Sequence, residues 1–323
     1  MKTTLSAVTL AASFIVSLTY SQAGLAQLNR ATLTQTGTNN SAGIEQEAAQ
    51  RTEATITQTG NDNIAGGAAV EGGIVQRSSR AAATITQDGN RNLAGILQQQ
   101  TGIRATATVN QAGNDNLVLI SQVNNFLPDV DALQAGSRNT AYINQSNVDN
   151  LVRTRQSGTD NVITVDQNGA AYGGPLITQD GIGNTATLTQ YSDAWTGGIT
   201  VSQTGMRNSA TVTRSSSSFG DGTSIVQNGT DNRATHNGIG GRSPSSITQN
   251  GDANTASVTK SLNYNDSSIM QTGNLNAATV VQNGVAPLGM QPANVATIIQ
   301  VGEGFTASIT QAGSGNAGTI YQH

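Results

Sequence analysis

Apolar and polar residues alternate in short runs along most of the chain. In Ala83-Thr84-Ile85-Thr86-Gln87, residues 83, 85 and 87 fall on one face and the two Thr on the other. In the run 92–98, Asn92, Ala94, Ile96 and Gln98 share a face. A period of two is that of a β-strand, whose successive side chains point to opposite faces. Thr, Ile and Val suit strands, and Gly-x-x-Asn between the runs is turn chemistry. The expected unit is therefore strand, tight turn, strand, turn.

This unit repeats. Its first Gln falls at Gln35, Gln58, Gln87, Gln111, Gln134, Gln156, Gln179, Gln203, Gln227, Gln249, Gln271 and Gln300, spaced 22 to 24 residues apart except for two steps of 29. Two residues later stands a Gly, beginning Gly37, Gly60, Gly89, Gly113, Gly136 and Gly158. Five residues later stands an Asn, beginning Asn40, Asn63, Asn92, Asn116, Asn139 and Asn161, with Phe305 the exception. Eleven residues later a second Gln is frequent: Gln46, Gln98, Gln122, Gln145, Gln167, Gln190, Gln282 and Gln311. Gln311 then opens a last partial unit that ends on Gln322.

One such unit cannot bury its apolar face alone. Stacking units gives two facing sheets and a continuous core. The expected fold is all-β: a β-solenoid of about twelve and a half stacked strand-turn-strand rungs, with two facing parallel sheets, amyloid-like in its stacking. At ~4.8 Å per rung it would be roughly 60 Å long. Each strand offers mainly one large aliphatic residue and one Ala, so the core is narrow. A buried unpaired amide costs about 1–3 kcal/mol. Inward Gln residues stacked in register answer this by pairing with the same amide one rung away. The two longer steps place extra residues outside the rungs, near 66–73 and near 284–293, the latter with Pro287 and Pro292.

Composition sharpens the picture. Only 11% of the 323 residues are charged and 3% aromatic, with a net charge of −4. That argues against a phosphate-binding surface and hence against nucleic acid as a required partner. Met1 and Lys2, an interrupted apolar stretch from Leu5 to Tyr20, and Gly24-Leu25-Ala26 read as a secretory signal peptide over 1–26, leaving a mature chain 27–323 with no membrane span. The chain has no Cys, so disulfides contribute nothing to an exported form.

The pattern Gln-x-Gly-x-x-Asn-x-Ala-x-x-x-Gln, at about 22 residues per unit over 31–322, resembles the curlin repeat of bacterial curli subunits. The resemblance implies secretion through a dedicated outer-membrane channel with accessory proteins. It also implies assembly with itself and with other curlin-type subunits into an extracellular amyloid fibre, a fimbrium of biofilm matrix and cell adhesion. The chain departs from the familiar members in opening its units with Ala31, Ala54 and Ala83 in place of Ser, and in having more units. Only residues 27–30 separate the expected cut from the first unit.

Catalytic, cofactor and metal motifs are absent from the sequence, and an enzyme is not expected. Asn61-Asp62-Asn63 and Asn114-Asp115-Asn116 lack the acids of a calcium loop and read as turns; Phe219-Gly220-Asp221-Gly222 hints at a calcium nonapeptide but occurs once. Two competing readings are a monomeric surface-binding solenoid, such as an ice binder, and the stalk of a larger adhesin. Outward Thr32/Thr34, Thr55/Thr57 and Thr84/Thr86 fit the first, but the same pair becomes Asp131/Leu133, then Arg153/Arg155. The run 319–323 still follows the strand pattern, which leaves an open edge able to template another chain.

Two local features carry further expectations. The residue before each turn Asn runs Asn39, Asp62, Arg91, Asp115, Arg138, Asp160, Gly183, Arg207, Asp231, so opposite charges should stack along one edge and specify register. At the inward aliphatic position of the ninth second strand stands His236, and nearby the closing Gln becomes Arg214, Gly238 and Lys260 in turn. This patch reads either as a pH-sensitive weak region or as a frayed rung with a solvated His.

Overall fold

Alternating Thr and β-branched residues favour extended backbone, and every repeat contributes strands of that kind. A computed structural model describes residues 29–47, 51–65, 73–99, 104–169, 173–191, 197–215, 222–284 and 292–323, with the backbone of two N-terminal strands, Lys2–Leu5 and Phe14–Tyr20. Its described residues contain strands and turns and no helix. They fall into two compact units, 1–160 and 161–323.

The first unit is a solenoid of two parallel sheets. One sheet stacks Asn29–Thr38, Glu53–Asn61, Ala82–Asn90, Thr106–Asn114, Asp129–Ser137 and Leu151–Thr159. The other stacks Ile44–Glu47, Ile74–Arg77, Leu93–Gln99, Leu117–Val123 and Thr140–Ser146. Each residue pairs with its counterpart one repeat on, as Gln87 does with Gln111 and Ile96 with Ile120. The two N-terminal strands pair antiparallel with 44–47 and with 29–35.

The second unit has the same architecture. Its first sheet runs from Pro175–Ile182 through Ile199–Met206, Thr223–Thr230, Ser245–Asn250, Asn265–Thr272 and Asn294–Val301 to Ala317–Gln322. Its second sheet runs from Val162–Asn168 to Thr306–Ala312.

The core between the sheets is a column of aliphatic side chains. Ile56, Ile85, Val109, Ile96 and Ile120 are buried in the first unit, and Ile177, Ile225, Ile247, Leu188 and Val258 in the second. Volume is conserved locally. Where the large position shrinks to Ala132 or Thr154, the small position two residues earlier grows to Val130 or Val152. Such exchanges keep a close-packed interior filled.

The structure corrects the reading of two positions. The first long step falls inside a second strand. Ile64–Ala65 and Ile74–Arg77 both pair with Leu93–Gln99, and residues 66–72 between them lie outside the described residues. Gln76 therefore takes the closing position that a count of eleven from Gln58 had left empty. Gln311 does not open the last partial unit. It pairs with Gln282 in the second sheet, and Gln322 pairs with Gln300 in the first. Half-units share the Gln-x-Gly-x-x-Asn spacing, and only strand pairing tells which sheet each occupies.

Candidate functional site

The inward Gln residues form continuous amide ladders, and Gln87 shows the full set of contacts. Its Nε2 donates to Oε1 of Gln111 at 2.9 Å and to the Ile64 carbonyl on the facing sheet at 3.2 Å. Its Oε1 accepts from Nε2 of Gln58 at 2.8 Å. One amide thus ties a rung to both neighbours and ties the two sheets together. In the first unit, steps from Gln35 through Gln58, Gln87, Gln111 and Gln134 to Gln156 are 2.7–2.9 Å. On the facing sheet, Gln46, Gln76, Gln98, Gln122 and Gln145 repeat the arrangement at 2.9–3.1 Å. In the second unit, Gln179, Gln203, Gln227, Gln249, Gln271, Gln300 and Gln322 follow at 2.8–2.9 Å. Gln167 donates to Gln190 and Gln282 to Gln311.

The Gly-x-x-Asn corner forms a second ladder. The Asn92 backbone N–H and Nδ2 both donate to Oδ1 of Asn63, at 3.0 and 3.1 Å, and Nδ2 also donates to the Gly113 carbonyl at 2.8 Å. Asn40, Asn63, Asn116 and Asn139 reach Gly60, Gly89, Gly136 and Gly158 in the same way, and Asn161 reaches Gly181. Gly89 explains the glycine. Its φ is +121°, and a Cβ there would sit 1.9 Å from the Gly113 carbonyl oxygen. No other residue fits that conformation and that distance together. Gly37 sits in the same clash against Gly60.

The sequence reading missed an Asn set on the opposite corner of the second unit. Asn294 donates to Oδ1 of Asn265 at 3.0 Å and receives Nδ2 of Asn316 at 2.9 Å. The signal was an Asn five residues after Lys260 and after Gln311.

The charged edge resolves into discrete pairs. Arg91 grips Asp115 with two nitrogens at 2.6 and 2.7 Å, Arg138 grips Asp160 at 2.6 and 2.9 Å, and Arg207 grips Asp231 at 2.7 and 2.6 Å. Each Arg bonds the rung that follows. Asp62 and Arg91 act on one another only through space. Hydrogen bonds from Arg91 hold the Asp115 carboxyl below its ordinary range, and Arg138 and Arg207 do the same for Asp160 and Asp231.

In the second unit the weak patch is packed and not frayed. His236 is 2% exposed on the strand Arg233–Gly238, between Val212 and Val258. Its ring lies over Gly238, where a Cβ would meet Cε1 at 2.7 Å, and neither ring nitrogen has a hydrogen-bond partner. Burial pushes its pKa down to about 3, helped by the Lys260 and Arg214 cations. The imidazole of the folded chain is therefore neutral across the ordinary histidine range. Lys260 Nζ donates to the Ser243, Pro244 and Asn265 carbonyls, and Arg214 to that of Gly197. These cations keep the tie between sheets. Because they only donate, they cannot accept from the rung before; Lys260 Nζ is spent on three carbonyls, and Gln282 Oε1 is left without a hydrogen-bond partner.

No group of His, Cys, Asp or Glu suited to a metal occurs among the described residues, and no described helix could cross a membrane. Asp115 of the Asn114-Asp115-Asn116 turn is committed to Arg91, and Asn63 and Asn116 to the corner ladder. Residues 219–221 of the single nonapeptide-like run, and the expected cut after Ala26, lie outside the described residues.

Strand, glycine corner and strand, repeated with an inward Gln at most closing positions, resemble a known repeat. A family model, the curlin associated repeat, matches residues 29–60. Residues 29–60 thus carry a curlin repeat. No curated protein matches the chain. The matched stretch is the first rung with the opening strand of the second, and the same strand pairing and ladder contacts continue through both units. A curlin repeat on a β-solenoid fits a structural, non-enzymatic, curli-like subunit.

Proposed function

We propose that the chain is a secreted structural subunit of an extracellular, curli-like amyloid fibre that contributes to biofilm matrix and adhesion. Its copies add head to tail by stacking strands in register, together with other curlin-type subunits. The observation that carries this reading is the identity of contacts from rung to rung. Gln, Asn and Gly of one rung meet the same residues of the next, so a rung of a second chain can supply every contact that an internal rung supplies. Head-to-tail addition that does not close gives a filament. The strand Ala317–Gln322 supports it, since its core-side Ile320 and Gln322 remain part-exposed and Gln322 accepts from Gln300. An outer-membrane curli channel and its accessory proteins are the proposed export route. Removal of 1–26 would uncover the strand edges at 29–35 and 44–47 now paired with the two N-terminal strands.

The outward Thr array speaks for a monomeric surface binder only briefly. Thr32, Thr55, Thr84 and Thr108 stack in register, and the column then turns to Asp131 and Arg153. Electron microscopy of purified 27–323 after incubation tests the proposal. Unbranched fibrils are expected, with a fibre reflection near ~4.8 Å along the axis. A stable population of single short rods would overturn it.

A further inference from the structure

The first unit carries an arginine column that no described residue neutralises. Arg51, Arg80 and Arg104 occupy the same corner position in three successive rungs, just before Thr52, Ala81 and Ala105, which hydrogen-bond rung to rung. All three are exposed, and none has a hydrogen bond or ion pair with any described residue. Together with exposed Phe126 and Leu127 they line one shallow groove. At a rung pitch of ~4.8 Å, three guanidinium groups in a row repel one another.

Arginines in comparable positions elsewhere are answered one rung on. Arg91, Arg138 and Arg207 share the left-handed backbone of Arg51, Arg80 and Arg104, with φ of 51–68° throughout, and each grips an Asp by two nitrogens. At the arginine-column position of the second unit, Arg242 lies 5.7 Å over the Tyr264 ring and donates to its hydroxyl. Among the described residues, only in the column does an arginine have another arginine one rung away. The shared backbone position sets the three side chains along one groove, and no anion among the described residues answers them.

We propose that Arg51, Arg80 and Arg104, with Phe126 beside them, bind a carboxylate-bearing polysaccharide laid along the stacking direction. The partner follows from the chemistry at hand. Arginine in this backbone conformation already takes a carboxylate by both nitrogens elsewhere in the chain, the geometry in which guanidinium is most selective. Phe126 offers an apolar face to the C–H surface of a sugar ring. A single aromatic is a poor platform for stacked bases, and a chain of net charge −4 lacks the long-range field that gathers nucleic acid. The site does not depend on fibre formation.

The test is binding of polygalacturonate to the full mature chain, with neutral dextran and oligo-dT as comparison probes. Three variants are compared, circular dichroism confirming β structure in each. Arg51→Gln/Arg80→Gln/Arg104→Gln removes the column. Arg153→Gln/Arg155→Gln/Arg233→Gln removes equal charge from exposed positions elsewhere. Arg51→Lys/Arg80→Lys/Arg104→Lys keeps charge but loses the fork. We expect wild type to bind polygalacturonate and not dextran. The first variant should lose at least tenfold in affinity, the second should stay within about twofold, and the third should fall between. No binding by wild type, equal losses in the first two variants, or tighter binding of oligo-dT would each overturn the proposal, whether or not fibrils form.

Discussion

At the residue scale, each inward Gln is held by what it donates and accepts together. Gln87→Ala would remove the donor to Gln111 Oε1 and to the Ile64 carbonyl, and leave Gln58 Nε2 with the Ser41 carbonyl alone. With Gln98→Ala added, the loss should reach several kcal/mol, at about 1–3 kcal/mol per stranded group. Slower polymerisation and a lower denaturation midpoint are expected; unchanged kinetics would make Gln a mere filler. The position before each turn Asn gives a prediction of opposite sign. Leu275 sits there at φ +58° and is 59% exposed, so its side chain adds strain and little packing. Leu275→Gly should stabilise by about 1 kcal/mol, because a Cβ in left-handed backbone costs ~1–2 kcal/mol. A thermal melt showing no gain would remove the strain argument.

At the scale of the strand, the paired charges and the broken ladder make separate claims. Arg91→Asp with Arg138→Asp would stack five carboxylates from Asp62 to Asp160 and abolish two bidentate pairs. These side chains are exposed, so we expect slowed assembly at low salt that salt restores. Kinetics equal to wild type at every ionic strength would dismiss a role in register. In the broken ladder, Lys260→Gln should let its amide donate to Gln282 Oε1, which now lacks a hydrogen-bond partner. The new amide's own Oε1 would face Gly238 without a donor, so the unpaired acceptor moves one rung and stability should change little. Removing that cation should also raise the His236 pKa, because Lys260 is one of the charges depressing it. Titration of the imidazole by NMR checks the second effect, and a pKa that does not move refutes the contact.

For the whole chain, His236 links stability to pH through the unfolded state. The unfolded imidazole titrates near its ordinary 6.5 and the folded one at about 3. Between these values the unfolded chain binds the extra proton, so stability rises with pH. The full contribution is present above about 6.5 and is lost as pH falls toward 3. At pH 5 this amounts to roughly a thirtyfold shift toward the unfolded chain, at tenfold per unit. Asp115, Asp160 and Asp231 act in the same direction at lower pH, since their paired carboxylates favour the folded chain until they are protonated. Urea midpoints at pH 7 and pH 5 should differ clearly in wild type and much less in His236→Ile. Parallel pH profiles for the two chains would remove the linkage.

The sequence by itself determined the element type, the inward face and the repeat. A period of two and a recurring Gln-x-Gly-x-x-Asn are local regularities, and identical residues in register satisfy one another only if strands stack in parallel. That made Ile85, Gln87, Ile96 and Gln98 legible as core before any pairing was known. Tertiary structure decided what local spacing cannot encode. Gln76 joins the ladder because strand pairing resumes after an insertion that spoils the count. Gln311 belongs to the second sheet because the two half-units look alike in sequence and differ only in their neighbours. Whether His236 was solvated or enclosed depended on the empty place at Gly238 beneath its ring and on the cations of adjacent rungs. Arg51, Arg80 and Arg104 stand 29 and 24 residues apart, and only the stacking of rungs, with unequal loops absorbed between them, brings three unremarkable arginines into one column.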